Sequence, residues 1–407
     1  MKGSLLRSNK ASEGADNTGQ GNFPYPPERR SSDVRGGNDQ ASETDFGTAL
    51  RSPAATIPLE TSMRILIAFD GSECARAALS DLDRAGLPPD AEVLVLSVLD
   101  AWLPAKDEPG GKVDEVLPGL NDIWASVRAA VERQRGIAED GAARLRSIFP
   151  GWNVKAEACA DSPAWAVIKR AEGHEGGVGG QPADLVVVGS HGYGGLKRLV
   201  LGSVSHRVVT EVRCSVRIAR GRDLADAAPQ AASPPRIVIG MDGSAHSRAA
   251  VEAVAARCWP AGTRVRIAIF EQVVYAEMGL TGLGGIGGAY TVWGGDPVGS
   301  EGSGGDTPSS DAPSGTRIVA AAAATLRRRC PQVSVTTVVK PGDPKYALVD
   351  LADDWEEEGT KGADCIFLGA TGVRGVERFL LGSVSTAVAM NAHCSVEIVH
   401  LRRGSAV

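Results

Sequence analysis

The chain has 407 residues, enough for two domains with a core each rather than one. Hydrophobic residues make up 43% and charged residues 23%, the balance of a globular protein rather than a fibrous or unfolded one. A net charge of −6 with Lys and Arg spread along the chain excludes the basic footprint of a nucleic-acid binder.

Residues 1–62 are rich in Gly, Ser, Asn, Asp and Pro and lack periodic apolar residues, so a disordered tail is expected there. The texture changes at Met63. Residues 65–69 are a short apolar run ending on Asp70-Gly71-Ser72, a turn and helix-start signal, and the Ala/Leu-rich stretch 74–84 predicts a helix. Residues 93–99 predict a second strand, 127–148 a longer helix and 154–158 a third strand, with another helix after Pro163. Residues 185–188 are nearly unbroken apolar, as in buried parallel strands; 203–212 predict a helix and 215–219 a last strand.

The same order then recurs. Arg64 to Ser72 matches Arg236 to Ser244 at an offset of 172 residues, and Gly189 matches Gly369 at 180. The net gain is assigned to the Gly/Ser/Asp-rich stretch 279–315, which no core could use. Second-half counterparts are 237–241, 265–270, 318–329, 333–339, a helix after Pro344, 365–368, 383–391 and 395–399. Two α/β domains are therefore expected, at 63–220 and 234–402. Each carries a mainly parallel five-stranded sheet with helices on both faces, and ligands bind beyond the carboxyl ends of such strands.

Two motifs lie at those ends. Gly189-x-x-Gly192, nine further residues and Gly202-Ser203-Val204-Ser205 recur as Gly369-x-x-Gly372, nine residues and Gly382-Ser383-Val384-Ser385. Glycine leaves no Cβ between backbone and ligand, and a helix opening at Gly202-Ser203 offers free N–H groups and the positive dipole end to phosphate oxygens. Lys197 and Arg198, with Arg374 and Arg378 in the other copy, could screen phosphate charge. The spacing is neither that of the Walker A loop nor that of the dinucleotide fingerprint. Asp70 and Asp242, each at a first-strand end, could cap a helix, accept from a ribose hydroxyl or hold Mg²⁺.

On these motifs both halves resemble universal stress protein domains, a Rossmann-like (adenine nucleotide alpha hydrolase-like) family whose ATP-binding members carry this glycine-serine spacing. The resemblance implies an adenine-nucleotide site, for ATP or AMP/ADP, in each half, with Asp70 and Asp242 at the nucleotide and Ala68 and Gly240 near the base. Val98 would line the adenine and ribose pocket of the first half; the second has the bulkier Phe270 there. In related domains the final strand makes a dimer, so the two halves are expected to pair with each other as a pseudo-dimer, and two chains could assemble further. The implied role is regulation in a stress response. Two other readings stand beside it: a slow ATPase or phosphotransferase, and a nucleotide-independent interaction module.

His191 faces Thr371 in the alignment of the halves and His206 faces Thr386, so no histidine is common to both sites. The seven cysteines include no CxxC pair, which argues against zinc or a disulfide framework. With no run near the roughly 20 apolar residues of a membrane span, and no apolar stretch at the start of the kind a secretory signal needs, a cytoplasmic protein without a membrane partner is expected.

Overall fold

The computed structural model describes residues 62–101, 120–190, 201–220, 233–271, 273–274, 290–291, 315–357, 360–372 and 381–401. The tail expected at 1–62 lies outside them except for its last residue, as does most of the insertion at 279–315.

The first half runs β1 (Met63–Ala68), α1 (Glu73–Asp81), β2 (Ala91–Asp100), α2 (Leu120–Ile148), β3 (Asn153–Asp161), α3 (Pro163–Ala171), β4 (Leu185–Gly189), α4 (Ser203–Glu211) and β5 (Ser215–Ala219). The second repeats it as β6 (Arg236–Gly240), α5 (Ala245–Ala255), β7 (Arg264–Glu271), α6 (Gly315–Arg329), β8 (Ser334–Pro341), α7 (Pro344–Asp353), β9 (Cys365–Gly369), α8 (Ser383–Asn391) and β10 (Ser395–Val399).

Local chemistry sets these boundaries. Ser72 caps α1 by accepting from Ala75 N at 3.1 Å, and Ser244 caps α5 by accepting from Ser247 N at 3.0 Å. Pro163 and Pro344 open α3 and α7, where a missing N–H costs nothing. The helix expected over 74–84 ends at Asp81 and tightens into a 3-10 turn over Leu82–Arg84. The one expected from 127 starts at Leu120, because Trp124, Val127 and Val131 extend the helical apolar spacing toward the N-terminus.

These ten strands form one sheet, in the order β8-β7-β6-β9-β10-β5-β4-β1-β2-β3. Strands are parallel within each half, and the direction of strand succession reverses between β1 and β4, and again between β6 and β9. These are the topological switch points, where a crevice opens beyond the strand ends. Residues such as Leu66 and Val186 face α3 and α4, and Ile65 and Val187 face α1 and α2. Both sheet faces are covered, which is why the strands are apolar almost throughout. The core under α3, α4, α7 and α8 is continuous across both halves, while the other face has one core per half.

The pseudo-dimer expectation is met within the chain. β5 and β10 pair antiparallel, with Val216 opposite Ile398, Arg217 opposite Glu397 and Ile218 opposite Val396. Helix ends reinforce the join: Arg84 forks onto Asp364 at 2.8 and 3.1 Å, Arg257 donates to Ala85 O at 3.0 Å, and Cys258 N donates to Gly86 O at 2.8 Å. Among the described residues no helix is long and apolar enough to cross a membrane.

Candidate nucleotide site

Each first strand ends on an aspartate that builds its own turn. Asp70 Oδ1 accepts from Ser72 N at 2.9 Å and Asp242 Oδ1 from Ser244 N at 3.0 Å, while Gly71 and Gly243 take φ of 77° and 76°. One oxygen of each carboxylate is thus a turn acceptor, and the turn fixes the carboxylate at the switch point.

The glycine loop is described at both ends. Gly202 N donates to Ser190 O at 2.8 Å and Gly382 N to Ala370 O at 2.7 Å, which closes the loop over the strand end. Gly192, Lys197, Arg198, His191, Arg374 and Arg378 lie outside the described residues. The second half shows what its glycines are for. A Cβ on Gly369 would lie 2.5 Å from His246 C and 2.7 Å from Ser247 N, so this glycine lets α5 pack against the strand end. A Cβ on Gly372 would lie 2.6 Å from Asp242 Oδ2, so the loop crosses directly over the carboxylate. Gly382 packs on the same turn, 3.5 Å from Gly372 N by the same measure. The close approach expected for a ligand at the first glycine is made there by a helix.

The serines divide by role. Ser203 and Ser383 are exposed at the first helical position. Ser205 and Ser385 are buried and donate to Gly189 O at 2.6 Å and Gly369 O at 2.7 Å. Both serines belong to the repeated motif, but the structure spends their hydroxyls on stitching helix to strand, because a carbonyl at the end of a buried strand needs a donor. Val204 and Val384 are half-buried against the shared core. With glycine as N-cap and no side-chain cap, the first-turn N–H groups of α4 and α8 have no partner within the helix.

The halves differ in the groups around this frame. In the second half Thr371 Oγ1 sits 2.9 Å from His246 Nδ1, and burial lowers the His246 pKa against the opposing pull of Asp242. The alignment puts Cys74 and His191 at these places in the first half, so the contact is not shared. His400, just past β10, is pushed down to about 4 by burial, with His246 adding to the shift, and its Nε2 is buried without a partner in the described residues. At the base-side positions Ala68 and Val98 are partly exposed, whereas Gly240 is buried and Phe270 is 8% exposed. Among the described residues no group of three or more His, Cys, Asp or Glu side chains could hold a metal ion.

Sequence reading missed a buried charge cluster behind the site, on the paired strands. Arg217, fully buried, donates to Asp81 Oδ2 at 2.9 Å, to Glu397 Oε2 at 3.2 Å and to Cys365 Sγ at 3.2 Å, and Arg257 pairs with the other oxygen of Glu397. The available signal was the offset of 180 residues, which puts Arg and Glu at one repeat position in the strand expected to form the join.

Fold and rim together define a doubly wound α/β protein with two fused halves and a switch point in each, the place where ligands bind in such folds. The model of the universal stress protein family matches residues 61–220 and 289–400, more than half of the chain, and the chain belongs to that family. A universal stress protein of Mycolicibacterium smegmatis is 26% identical over 344 residues, covering 84% of this chain and 98% of its own. The crystal structure of a universal stress protein from Archaeoglobus fulgidus aligns with a TM-score of 0.45 at 17% identity, over 83% of this chain and 98% of that one. A universal stress protein described in complex with cAMP aligns with a TM-score of 0.23 at 22% identity, over 42% of this chain and 98% of that one.

Proposed function

We propose that this chain binds an adenine nucleotide, ATP foremost, and that occupancy sets a regulatory role in a stress response. The observation that carries the reading is the frame of the first half. The Ser205 hydroxyl ties α4 to the carbonyl that ends β4 with a 2.6 Å hydrogen bond, at the switch point where β4 lies next to β1 and the turn of Asp70 follows. Free N–H groups at that place favour phosphate oxygens, and the partly exposed apolar wall of Ala68 and Val98 suits a purine. Gly189, Gly202, Ser203 and Val204 would approach the phosphates through their backbone, with the Ser203 hydroxyl as a further donor. Asp70 would accept from the ribose or share Mg²⁺ with the phosphates, a mode in which one carboxylate is enough.

Binding is tested by calorimetry of the full-length chain with ATP, ADP and AMP. Gly202→Val is expected to abolish binding in the first half by blocking the backbone next to Ser203. Undiminished binding in the double variant Gly202→Val/Gly382→Val would overturn the reading.

A further inference from the structure

We infer that only the first half takes the nucleotide, because the second half has filled its own crevice with core side chains. This rests on the nucleotide reading above and narrows it to one site per chain.

The crevice at a switch point lies between the ends of the two strands where the order reverses. In the first half those ends are Ala68 on β1 and Val188 on β4, with Val167 of α3 below them and Val98 on the next strand. The repeat offsets of 172 and 180 place Gly240, Phe270 and Leu368 at the same positions, and aligning the helix-opening Pro163 with Pro344 places Leu348 opposite Val167. Two methylenes and a ring are added while one methyl is removed. The added atoms reach the side-chain position of residue 240: a Cβ on Gly240 would run into Leu368 Cδ2 and lie 2.9 Å from Leu348 Cδ1.

Glycine at 240 therefore accommodates the leucines, whose methyl groups fill the place that the Ala68 side chain takes in the first half. Leu348 and Leu368 are each 3% exposed, and Phe270 is buried in the same core, whereas its counterpart Val98 is partly exposed. Gly342, where the first half has Asp161, lies beside the Phe270 ring, whose Cδ1 would be in ordinary contact with a Cβ there at 3.6 Å. Interiors packed in this way hold no space for a purine unless several buried side chains leave together. The polar rim has diverged as well, with His246 and Thr371 in contact where the other half has Cys74 and His191. The second half thus keeps the loop and the strand join but not the pocket for the base.

The test counts nucleotides per full-length chain by equilibrium dialysis and maps the peptides labelled by an azido-adenine analogue of ATP. One nucleotide per chain is expected, with all label in the first half. Val98→Phe, which copies the second-half residue into the first at a partly exposed position, is expected to weaken binding roughly tenfold or more. Moving the first-half set into the second, as Gly240→Ala, Phe270→Val, Leu348→Val and Leu368→Val together, is expected to raise the count to two. Two nucleotides on the unmodified chain, or label in the second half, overturns this inference and leaves the nucleotide reading standing; no nucleotide at all overturns both. If the four-residue variant does not fold, Val98→Phe decides alone, and unchanged affinity in it overturns the inference.

Discussion

Arg217 and Glu397 occupy the same position in the two copies of the repeat, and they face each other directly where β5 meets β10. That pair lies on the pseudo-twofold axis of the molecule. In a symmetric dimer a residue at this place faces its own copy, so two arginines or two glutamates would be buried opposite each other. Here the copies have diverged to opposite charges, with Asp81 behind Arg217 and Arg257 behind Glu397, so the row alternates in sign through four residues. Their repeat counterparts, Ala253 for Asp81 and Ala85 for Arg257, carry no charge. The arrangement favours the pairing of one half with the other over the pairing of like halves.

Removing one member of that row should be far more damaging than removing a matched pair. Burial pushes the Asp81 carboxyl up even with Arg217 attracting its charge, so Asp81 depends on that guanidinium to stay ionised. Arg217→Met leaves Asp81 without a counter-charge and should cost about 3–5 kcal/mol. The double variant Asp81→Leu/Arg217→Met removes both charges and should recover most of the loss, since Arg257 still serves Glu397. Urea unfolding of the three chains measures this; a double variant no more stable than the single would refute the account.

Gly86 offers a second test of the join. Its φ is 62°, and a Cβ there would lie 2.6 Å from the indole of Trp259, a buried residue of the other half. Gly86→Ala combines a left-handed backbone cost of about 1–2 kcal/mol with overpacking of about 1–3 kcal/mol. A lowered melting temperature is expected, and in a Trp259→Leu background, where the clash is gone, Gly86→Ala should cost only the backbone part. No further loss from Gly86→Ala in that background would show that the backbone term is absent.

His400 makes stability depend on pH in a stated direction. Its folded pKa is depressed to about 4 by burial, below the ordinary value of 6.5, so the folded chain prefers the neutral ring. That contribution is complete above about pH 6.5 and is lost as pH falls toward 4, amounting to about 2 kcal/mol by pH 5. His246 shifts the same way for the same reason, burial. Urea midpoints at pH 7 and pH 5 should separate more for the unmodified chain than for His400→Gln. Equal separations would mean that another group carries the acid sensitivity.

The succession of strands and helices along the chain, both glycine motifs and the twofold repeat could be read from sequence, because parallel strands buried on both faces are nearly continuous apolar runs and the motifs recur at a fixed spacing. The charge row could not. Arg217 in Ser-Val-Arg-Ile-Ala and Glu397 in Ser-Val-Glu-Ile-Val read as single polar residues in otherwise apolar strands, and their partners Asp81 and Arg257 come from distant helix ends. The filled crevice was half legible. Phe270 announces its bulk, but Leu348 and Leu368 look like any core leucine until their distance from Gly240 is known. Nor does the sequence distinguish Ser203 from Ser205, two residues apart and one exposed, one buried.

Those two serines give the last prediction. Ser205 donates to Gly189 O at 2.6 Å from a buried position, so Ser205→Ala leaves a strand-end carbonyl without that donor and should cost about 1–3 kcal/mol of stability. Because the same bond sets the height of α4 over the strand end, nucleotide affinity should fall with it. Ser203 is exposed at the first helical position, where Ser203→Ala removes a hydroxyl but no internal bond. Its melting temperature should be unchanged within the few tenths of a kcal/mol usual for surface sites, while affinity for a triphosphate drops by the worth of one hydrogen bond to a charged group, about 1.5–3 kcal/mol. Melting curves and calorimetry on the two variants separate the roles. Should Ser203→Ala bind ATP as tightly as the unmodified chain, the phosphates are held by backbone N–H groups alone, and the serine in the motif serves only to start the helix.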